Sequence, residues 1–351
     1  MKKITFFINS LEIGGTEKQL LQLIKELKNR FSIDIFCFRK GKLYNDFLKQ
    51  KVNIITGNNS FFSFWVLVYY LLKNQNDIYH FFLPKTYIIC SFLTIFSKKK
   101  KIMSRRSLNF YHNKYFKVSL YIEKFLHKYV DRFVCNTFEI KKQLIYDEGV
   151  DKKKITLIKN FFIPFSKLKK KKKIKKFKNR VSFAYVANLI SYKGHEQLID
   201  ICSKLKTKKK WTLYLAGDGS KEYLNKLRNL VKERRLENRI IFLGLIKDVY
   251  SLYQDMDFII NTSLEEGSSN TLLEALSMKL PIICFDIGGN RDFFNNNGFL
   301  VKYKDYENLK KKLCILIDSN KKKELGENSF KYFRKKFDNK SVLNQHLKLY
   351  N

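Results

Sequence analysis

Glu265-Glu266-Gly267-Ser268-Ser269-Asn270-Thr271-Leu272-Leu273-Glu274-Ala275, followed by Pro281-Ile282-Ile283-Cys284-Phe285-Asp286-Ile287-Gly288-Gly289-Asn290, decides how this chain is read. An apolar β-rich run (258–261) leads into it, and a loop of small residues follows Glu266. A helix is predicted to open near Thr271, and a second apolar run (282–285) ends in a glycine pair. Strand, loop, helix and strand in that order are the grammar of a parallel sheet covered by helices. The amides at such a helix start carry roughly half a positive charge, so a diphosphate fits in front of them. Glu274, one turn inside, can reach ribose hydroxyls, and Glu266 can hold the hydroxyls of a sugar. Thr271-x-x-Glu274 reads equally as a capping box that needs no ligand. A capping box explains neither Glu266 nor Gly288-Gly289.

The same grammar extends in both directions. Residues 4–8, 33–38, 52–55, 78–82, 101–104 and 132–136 read as strands. Between the first two, Leu20, Leu23, Ile24 and Leu27 recur at helical spacing within 17–28. Gly14-Gly15 precedes that helix, and Thr16-x-x-Gln19 reads as its capping box. Nine of the twelve residues from Lys167 to Lys178 are lysine, which reads as a solvated loop. Beyond it, 183–186, 211–216, 240–242, 258–261 and 282–285 restart the strand series, with helices over 196–205, 221–232 and 271–279. The expected fold class is therefore α/β, with two doubly wound, Rossmann-like domains. Their expected bounds are 1–165 and 166–338, with a C-terminal helix (339–351) that can cross back to the first. The expected ligand site is the cleft between their strand C-terminal ends.

Three further stretches add chemistry. Val186-Ala187-Asn188-Leu189-Ile190-Ser191-Tyr192-Lys193-Gly194-His195-Glu196 puts a lysine between a strand end and a helix start, where it can act as a point charge on phosphate. Leu215-Ala216-Gly217-Asp218-Gly219-Ser220 is a tight strand-to-helix turn without the third glycine of a dinucleotide fingerprint, which argues against a dehydrogenase. Arg239-Ile240-Ile241-Phe242-Leu243-Gly244-Leu245-Ile246 leads a strand into a loop that can accept a nucleobase edge. Asp255-Met256-Asp257 superficially suggests a metal site, but it runs into an apolar strand and reads better as that strand's start.

Composition bounds the rest. The 351 residues suffice for two domains, and 45% hydrophobic content suffices for real cores. The net charge of +38 favours anionic partners: nucleic acid, acidic headgroups or phosphorylated substrates. Part of that lysine reads as compositional bias, since Ala, Gly and Pro are scarce beside Lys, Asn, Ile and Phe. No zinc finger, helix-turn-helix or RNP pattern accompanies the charge, so specific nucleic-acid binding is the weaker class. The six cysteines (37, 90, 135, 202, 284 and 314) have neither metal-ligand nor redox spacing and read as buried thiols of a reducing compartment. The apolar start ends at Asn9, too short for a secretory signal, and no apolar run is long enough to span a bilayer. A cytoplasmic protein, peripheral at most on a membrane, is expected. The aromatic bunch Phe61-Phe62-Ser63-Phe64-Trp65 with Tyr69-Tyr70 reads as core or as a patch against an anionic bilayer. His80 and His195 read as packing residues.

Taken in order, these motifs resemble the retaining glycosyltransferases of group 1 (family 4), and the resemblance covers nearly the whole chain. Gly14-Gly15-Thr16-Glu17 is similar to that family's N-terminal glycine loop. Glu266 and Glu274 match its paired-glutamate signature, and Gly288-Gly289 its following glycine pair. The resemblance implies a GT-B fold of two facing Rossmann-like domains and a nucleotide-sugar donor, with no metal or other cofactor. It implies donor contacts at Gly15, Asn188, Lys193, Gly217, Ile246, Glu266, Gly267, Ser269, Asn270, Thr271 and Glu274. It also implies catalytic parts for Glu266, Lys193 and Arg105. The family usually has arginine where Asn188 stands, so one phosphate cation is missing. Many members carry a histidine near Ser104-Arg105-Arg106-Ser107-Leu108-Asn109-Phe110-Tyr111-His112. Here an arginine falls near that position, and His112 comes several residues late. The implied acceptor is a glycan or lipid-linked glycan of a bacterial-type surface polysaccharide. An epimerase, a phosphorylase or a non-catalytic binding protein on the same fold is the alternative.

Overall fold

The computed structural model describes residues 1–73, 76–108, 117–162, 177–246 and 248–351. Most of the lysine run, and the stretch from Asn109 through His112, lie outside them. The chain divides into two units, Met1–Ile163 with Asn339–Asn351, and Pro164–Asp338.

The first unit runs β1 (Lys3–Ser10), α1 (Gly15–Leu27), β2 (Ser32–Arg39), α2 (Tyr44–Leu48), β3 (Asn53–Ile55), α3 (Ser60–Lys73), β4 (Ile78–Phe82) and α4 (Pro84–Leu93). It continues through β5 (Lys100–Arg105), α5 (Lys117–Leu126), β6 (Arg132–Cys135), α6 (Phe138–Tyr146) and β7 (Ile155–Leu157). The seven strands form one parallel sheet in the order β3-β2-β1-β4-β5-β6-β7. Successive residues of a strand point to opposite faces, and β1 shows the consequence. Phe6 and Ile8 pack with Leu20, Leu23, Ile24 and Leu27 of α1. Phe7 joins the core on the other face, with Leu67 of α3, Tyr87 and Cys90 of α4 and Leu126 of α5.

Two expectations about this unit need correction. The first is the capping box at Thr16. α1 begins at Gly15 with Gly14 as its cap, and no side chain caps it. Gln19 turns instead to the backbone of Phe161, accepting from its N–H at 2.7 Å and donating to its carbonyl at 2.8 Å. The second is the core reading of the aromatic bunch, one of the two it allowed. Phe61, Phe62, Trp65 and Tyr69 stand in solvent, while Ser63 and Leu67 are the side chains α3 buries.

The second unit runs β8 (Val181–Val186), α7 (His195–Ser203), β9 (Trp211–Ala216), α8 (Lys221–Glu233), β10 (Ile240–Gly244), α9 (Val249–Tyr253) and β11 (Phe258–Asn261). It ends with α10 (Asn270–Ser277), β12 (Ile282–Phe285), β13 (Gly298–Val301), α11 (Tyr306–Asp318) and α12 (Lys322–Lys336). Its parallel sheet has the order β10-β9-β8-β11-β12-β13. Both sheets reverse direction of growth at one point, between β1 and β4 and between β8 and β11. Such a switch point leaves a crevice at the strand C-terminal ends. Asp257 serves β11 as its start: its carboxylate accepts from the Ser182 N–H at 2.7 Å.

A last helix, α13 (Asn339–Tyr350), belongs to the first unit. Val342, Leu349 and Tyr350 complete the core around α1. The Tyr350 hydroxyl lies 2.8 Å from His80 Nδ1, and His80 Nε2 lies 2.8 Å from Ser104 Oγ. Burial holds the His80 imidazole neutral, with its pKa well below the ordinary value.

Candidate active site

The switch point of the second sheet is furnished from both its strands. After β8 the chain passes through Ala187-Asn188-Leu189-Ile190 into a single 3₁₀ turn, Ser191–Lys193, and Gly194 starts α7. Gly194 has φ 70°, and a Cβ there would stand 2.2 Å from the Thr262 carbonyl oxygen. Glycine alone lets this turn press against the end of β11. Lys193 then reaches Glu266, with Nζ 2.7 Å from Oε1 and both side chains only partly exposed.

The pair has a polar floor. Glu266 Oε1 also accepts from Ser263 Oγ at 2.8 Å and from Asn261 Nδ2 at 3.4 Å. The buried Tyr185 hydroxyl donates to the Lys193 carbonyl at 2.7 Å and stands 2.8 Å from Ser263 Oγ. His195 stacks on Tyr185 with ring centroids 4.7 Å apart. Burial, then the nearby Lys193 charge, lowers its pKa to about 3. It is therefore a neutral packing ring at ordinary pH.

α10 closes the crevice. Its cap is Ser269, whose Oγ accepts from Leu272 N at 3.4 Å and from Asn261 Nδ2 at 3.3 Å. Thr271 is thus not a cap, which corrects the capping-box alternative: its hydroxyl donates to the Val186 carbonyl at 2.9 Å and ties the helix start to β8. Glu274 is freed from capping and accepts from the Tyr253 hydroxyl at 3.0 Å. The glycine pair after β12 clamps the loop from the far side. Gly289 N–H donates to the Gly267 carbonyl at 2.7 Å. At Gly288 (φ 49°) a Cβ would stand 2.0 Å from the Glu266 carbonyl oxygen. The positive end of α10 and the Lys193–Glu266 pair therefore stand together at the strand ends, with the Glu274 carboxylate buried one turn inside the helix.

That ordered constellation has relatives. Residues 166–332 match the family described as Glycosyl transferases group 1, and residues 13–163 match Glycosyltransferase Family 4. The chain belongs to this glycosyltransferase family. Among solved structures, Anabaena HepE in complex with UDP-glucose has a TM-score of 0.84 at 18% identity, covering 99% of both chains. That likeness gives the fold its name, GT-B. Among curated proteins, an N-acetylgalactosamine-N,N'-diacetylbacillosaminyl-diphospho-undecaprenol 4-alpha-N-acetylgalactosaminyltransferase of Campylobacter jejuni is 23% identical, covering 99% of both chains. A UDP-Gal:alpha-D-GlcNAc-diphosphoundecaprenol alpha-1,3-galactosyltransferase of Escherichia coli is 26% identical over 87% of this chain and 85% of its own.

The remaining residues of this glycosyltransferase's expected site fall as follows. Asn188 is exposed in the loop after β8. Gly217 follows β9 and donates its N–H to the Gly244 carbonyl at 2.9 Å. Ile246 lies two residues past β10, half-buried. In the first unit, Gly15 is exposed at the start of α1. Glu17 folds back over Gly14, where a Cβ would stand 2.1 Å from its Oε2.

Arg105 is the expected catalytic residue that the structure turns elsewhere. Its side chain is 2% exposed, and its guanidinium contacts Glu148 at 2.7 Å and Glu123 at 2.8 Å. His127 Nε2 stands 2.8 Å from the same Glu148 oxygen, and Tyr87 reaches His127 Nδ1. A guanidinium so enclosed serves the interior and presents no face to a substrate. Arg106 is engaged as well, donating to Asn160 at 2.9 Å. Tyr185, Ser263 and Tyr253 are site residues that sequence reading missed. A polar triplet, Asn261-Thr262-Ser263, at the end of an apolar strand was the available signal for Ser263.

Proposed function

We propose that this glycosyltransferase moves a sugar, with retention, from a uridine diphosphate donor to a hydroxyl of a diphosphate-lipid-linked glycan. The supporting observation is the Lys193–Glu266 ion pair at the mouth of α10, with Glu274 one turn inside. As the bond from anomeric carbon to phosphate oxygen breaks, the nucleoside diphosphate gains charge. Lys193 and the first turn of α10 stabilise that charge without a divalent ion. Glu266, released from Lys193, accepts hydrogen bonds from donor-sugar hydroxyls, and Glu274 does so from the ribose. The departing phosphate oxygen takes the proton of the attacking hydroxyl, so the new bond forms on the face the old one left. The acceptor class rests on the relatives whose own acceptors carry diphosphoundecaprenol.

Thermal unfolding with UDP, UDP-sugars, GDP-mannose and CMP-sialic acid, in EDTA, tests the reading. UDP at 100 times its Kd adds about 2.7 kcal/mol of stability. That increment is expected to vanish in Lys193→Ala and to shrink in Glu274→Ala. Stabilisation by none of the nucleotides, or only with added metal, overturns the metal-free donor site.

A further inference from the structure

The described residues expose twenty large apolar side chains, and twelve of them lie between residues 61 and 129. Ten of these twelve belong to three helices that cover one face of the first sheet, and Phe96 and Tyr129 follow the ends of two of them. Leu67 of α3, Tyr87 of α4 and Leu126 of α5 bury into the same core, opposite the face held by α1 and α13. On α3, Phe61, Phe62, Trp65, Tyr69 and Leu72 are 57–82% exposed. At 3.6 residues per turn they share an arc of about 100°, opposite Ser63 and Leu67. The helix thus turns its apolar stripe outward. Phe92 at the end of α4, Phe96 three residues past it, and Tyr121 and Phe125 on α5 extend the surface.

Charge on this face has one sign. Lys73, Lys85, Lys98 and Lys128 are exposed around it. Lys73 leans over the Tyr69 ring at 4.5 Å and Lys128 over Phe125 at 5.9 Å. The one acidic side chain on the three helices, Glu123, is buried against Arg105. None of the described helices is long and apolar enough to cross a membrane. A second copy of the chain would set lysine against lysine, so self-association is disfavoured. We propose that the outward faces of α3, α4 and α5 dock on an anionic phospholipid bilayer, with the rings at headgroup depth and the lysines on acidic lipid. This surface is independent of the donor site, and its test needs neither donor nor acceptor.

The chain carries its own probe. Of its two tryptophans, Trp65 is 57% exposed and Trp211 is buried. Vesicles of phosphatidylcholine with about one-third phosphatidylglycerol should shift tryptophan emission to the blue, and shallow brominated lipid should quench it. Trp65→Phe should abolish both responses. Phe61→Ser with Tyr69→Ser should weaken sedimentation with the vesicles about tenfold. Lys85→Glu with Lys98→Glu should weaken it by about fivefold per lysine. These exposed sites leave the core intact, and unchanged thermal unfolding of the variants checks that. Sedimentation without a Trp65 response would put binding elsewhere on this basic chain and overturn the proposal. So would no sedimentation, or an emission shift that follows dimer formation without lipid.

Discussion

Lys193 and Glu266 neutralise each other in the free protein, and a donor must rearrange that pair. The two partners are therefore expected to fail differently. Glu266→Gln frees the ammonium for a diphosphate, so calorimetry should find UDP bound at least as tightly as by the parent chain. Turnover should fall about 10²–10³-fold, because the sugar contact made in the transition state is gone. Lys193→Met should lose both binding and turnover. Equal loss of UDP affinity in the two variants would assign Glu266 to the nucleotide instead. In the first unit, Glu17 of the glycine loop has a titration of its own. Burial, with repulsion from Glu12, raises its pKa from 4.5 to about 7, against the pull of its own backbone amide. The folded chain thus holds this proton more tightly than the unfolded one, and stability falls as pH rises from about 4.5 to 7. Glu17→Gln should remove the decline. Urea unfolding should show parity at pH 4 and a gain on the order of 3 kcal/mol at pH 8. A parallel pH profile for the variant would mean that Glu17 titrates normally.

Helix starts show where reading from sequence stops. The patterns at Thr16 and Thr271 both suggested capping boxes, yet α1 starts on Gly14-Gly15 and α10 is capped by Ser269. In each case a tertiary partner took the polar side chain: Phe161 for Gln19, Tyr253 for Glu274. Central strands such as β8, β9, β11 and β12 are legible because a buried parallel strand is apolar throughout. Short edge strands such as β7 and β13 lack that run, and were missed. The glutamate pair, Lys193 and the glycine pair are legible because each sits at a strand-to-helix junction within a short stretch. Arg105 was misread because Glu123, His127 and Glu148 lie far along the chain and only folding gathers them. This network predicts a stability defect. Arg105→Met leaves two buried carboxylates without their cation and should cost about 3–5 kcal/mol in urea unfolding. Arg105→Lys, keeping the charge, should lose less stability and retain kcat. A folded Arg105→Lys that loses turnover would return the residue to catalysis.

The chain's continuity differs between its two units. The second is one uninterrupted segment, and its core is drawn from residues 181–317. The first is closed by residues from beyond the second. Tyr350 is fully buried, bonded toward His80, and stands edge-on to Phe6 at 6.3 Å. Asn339 adds a backbone clamp, donating to the Phe162 carbonyl at 2.7 Å and accepting from the Phe162 N–H at 2.8 Å. Burial of Val342, Leu349 and Tyr350 is worth about 1.5–3 kcal/mol each. Together that matches much of the 5–15 kcal/mol by which a typical domain is stable. Ending the chain at Asp338 should therefore abolish the first unit's unfolding transition while leaving the second's in place. The fragment 164–338 should melt cooperatively by itself and still gain stability from UDP, since Lys193, Glu266 and Glu274 all lie within it. Far-ultraviolet circular dichroism melts of both truncations, with and without UDP, decide the matter. If the chain ending at Asp338 keeps two transitions, α13 merely decorates a core that is complete without it. If the fragment folds yet ignores UDP, the first unit supplies an indispensable part of nucleotide recognition, and its glycine loop is where to look.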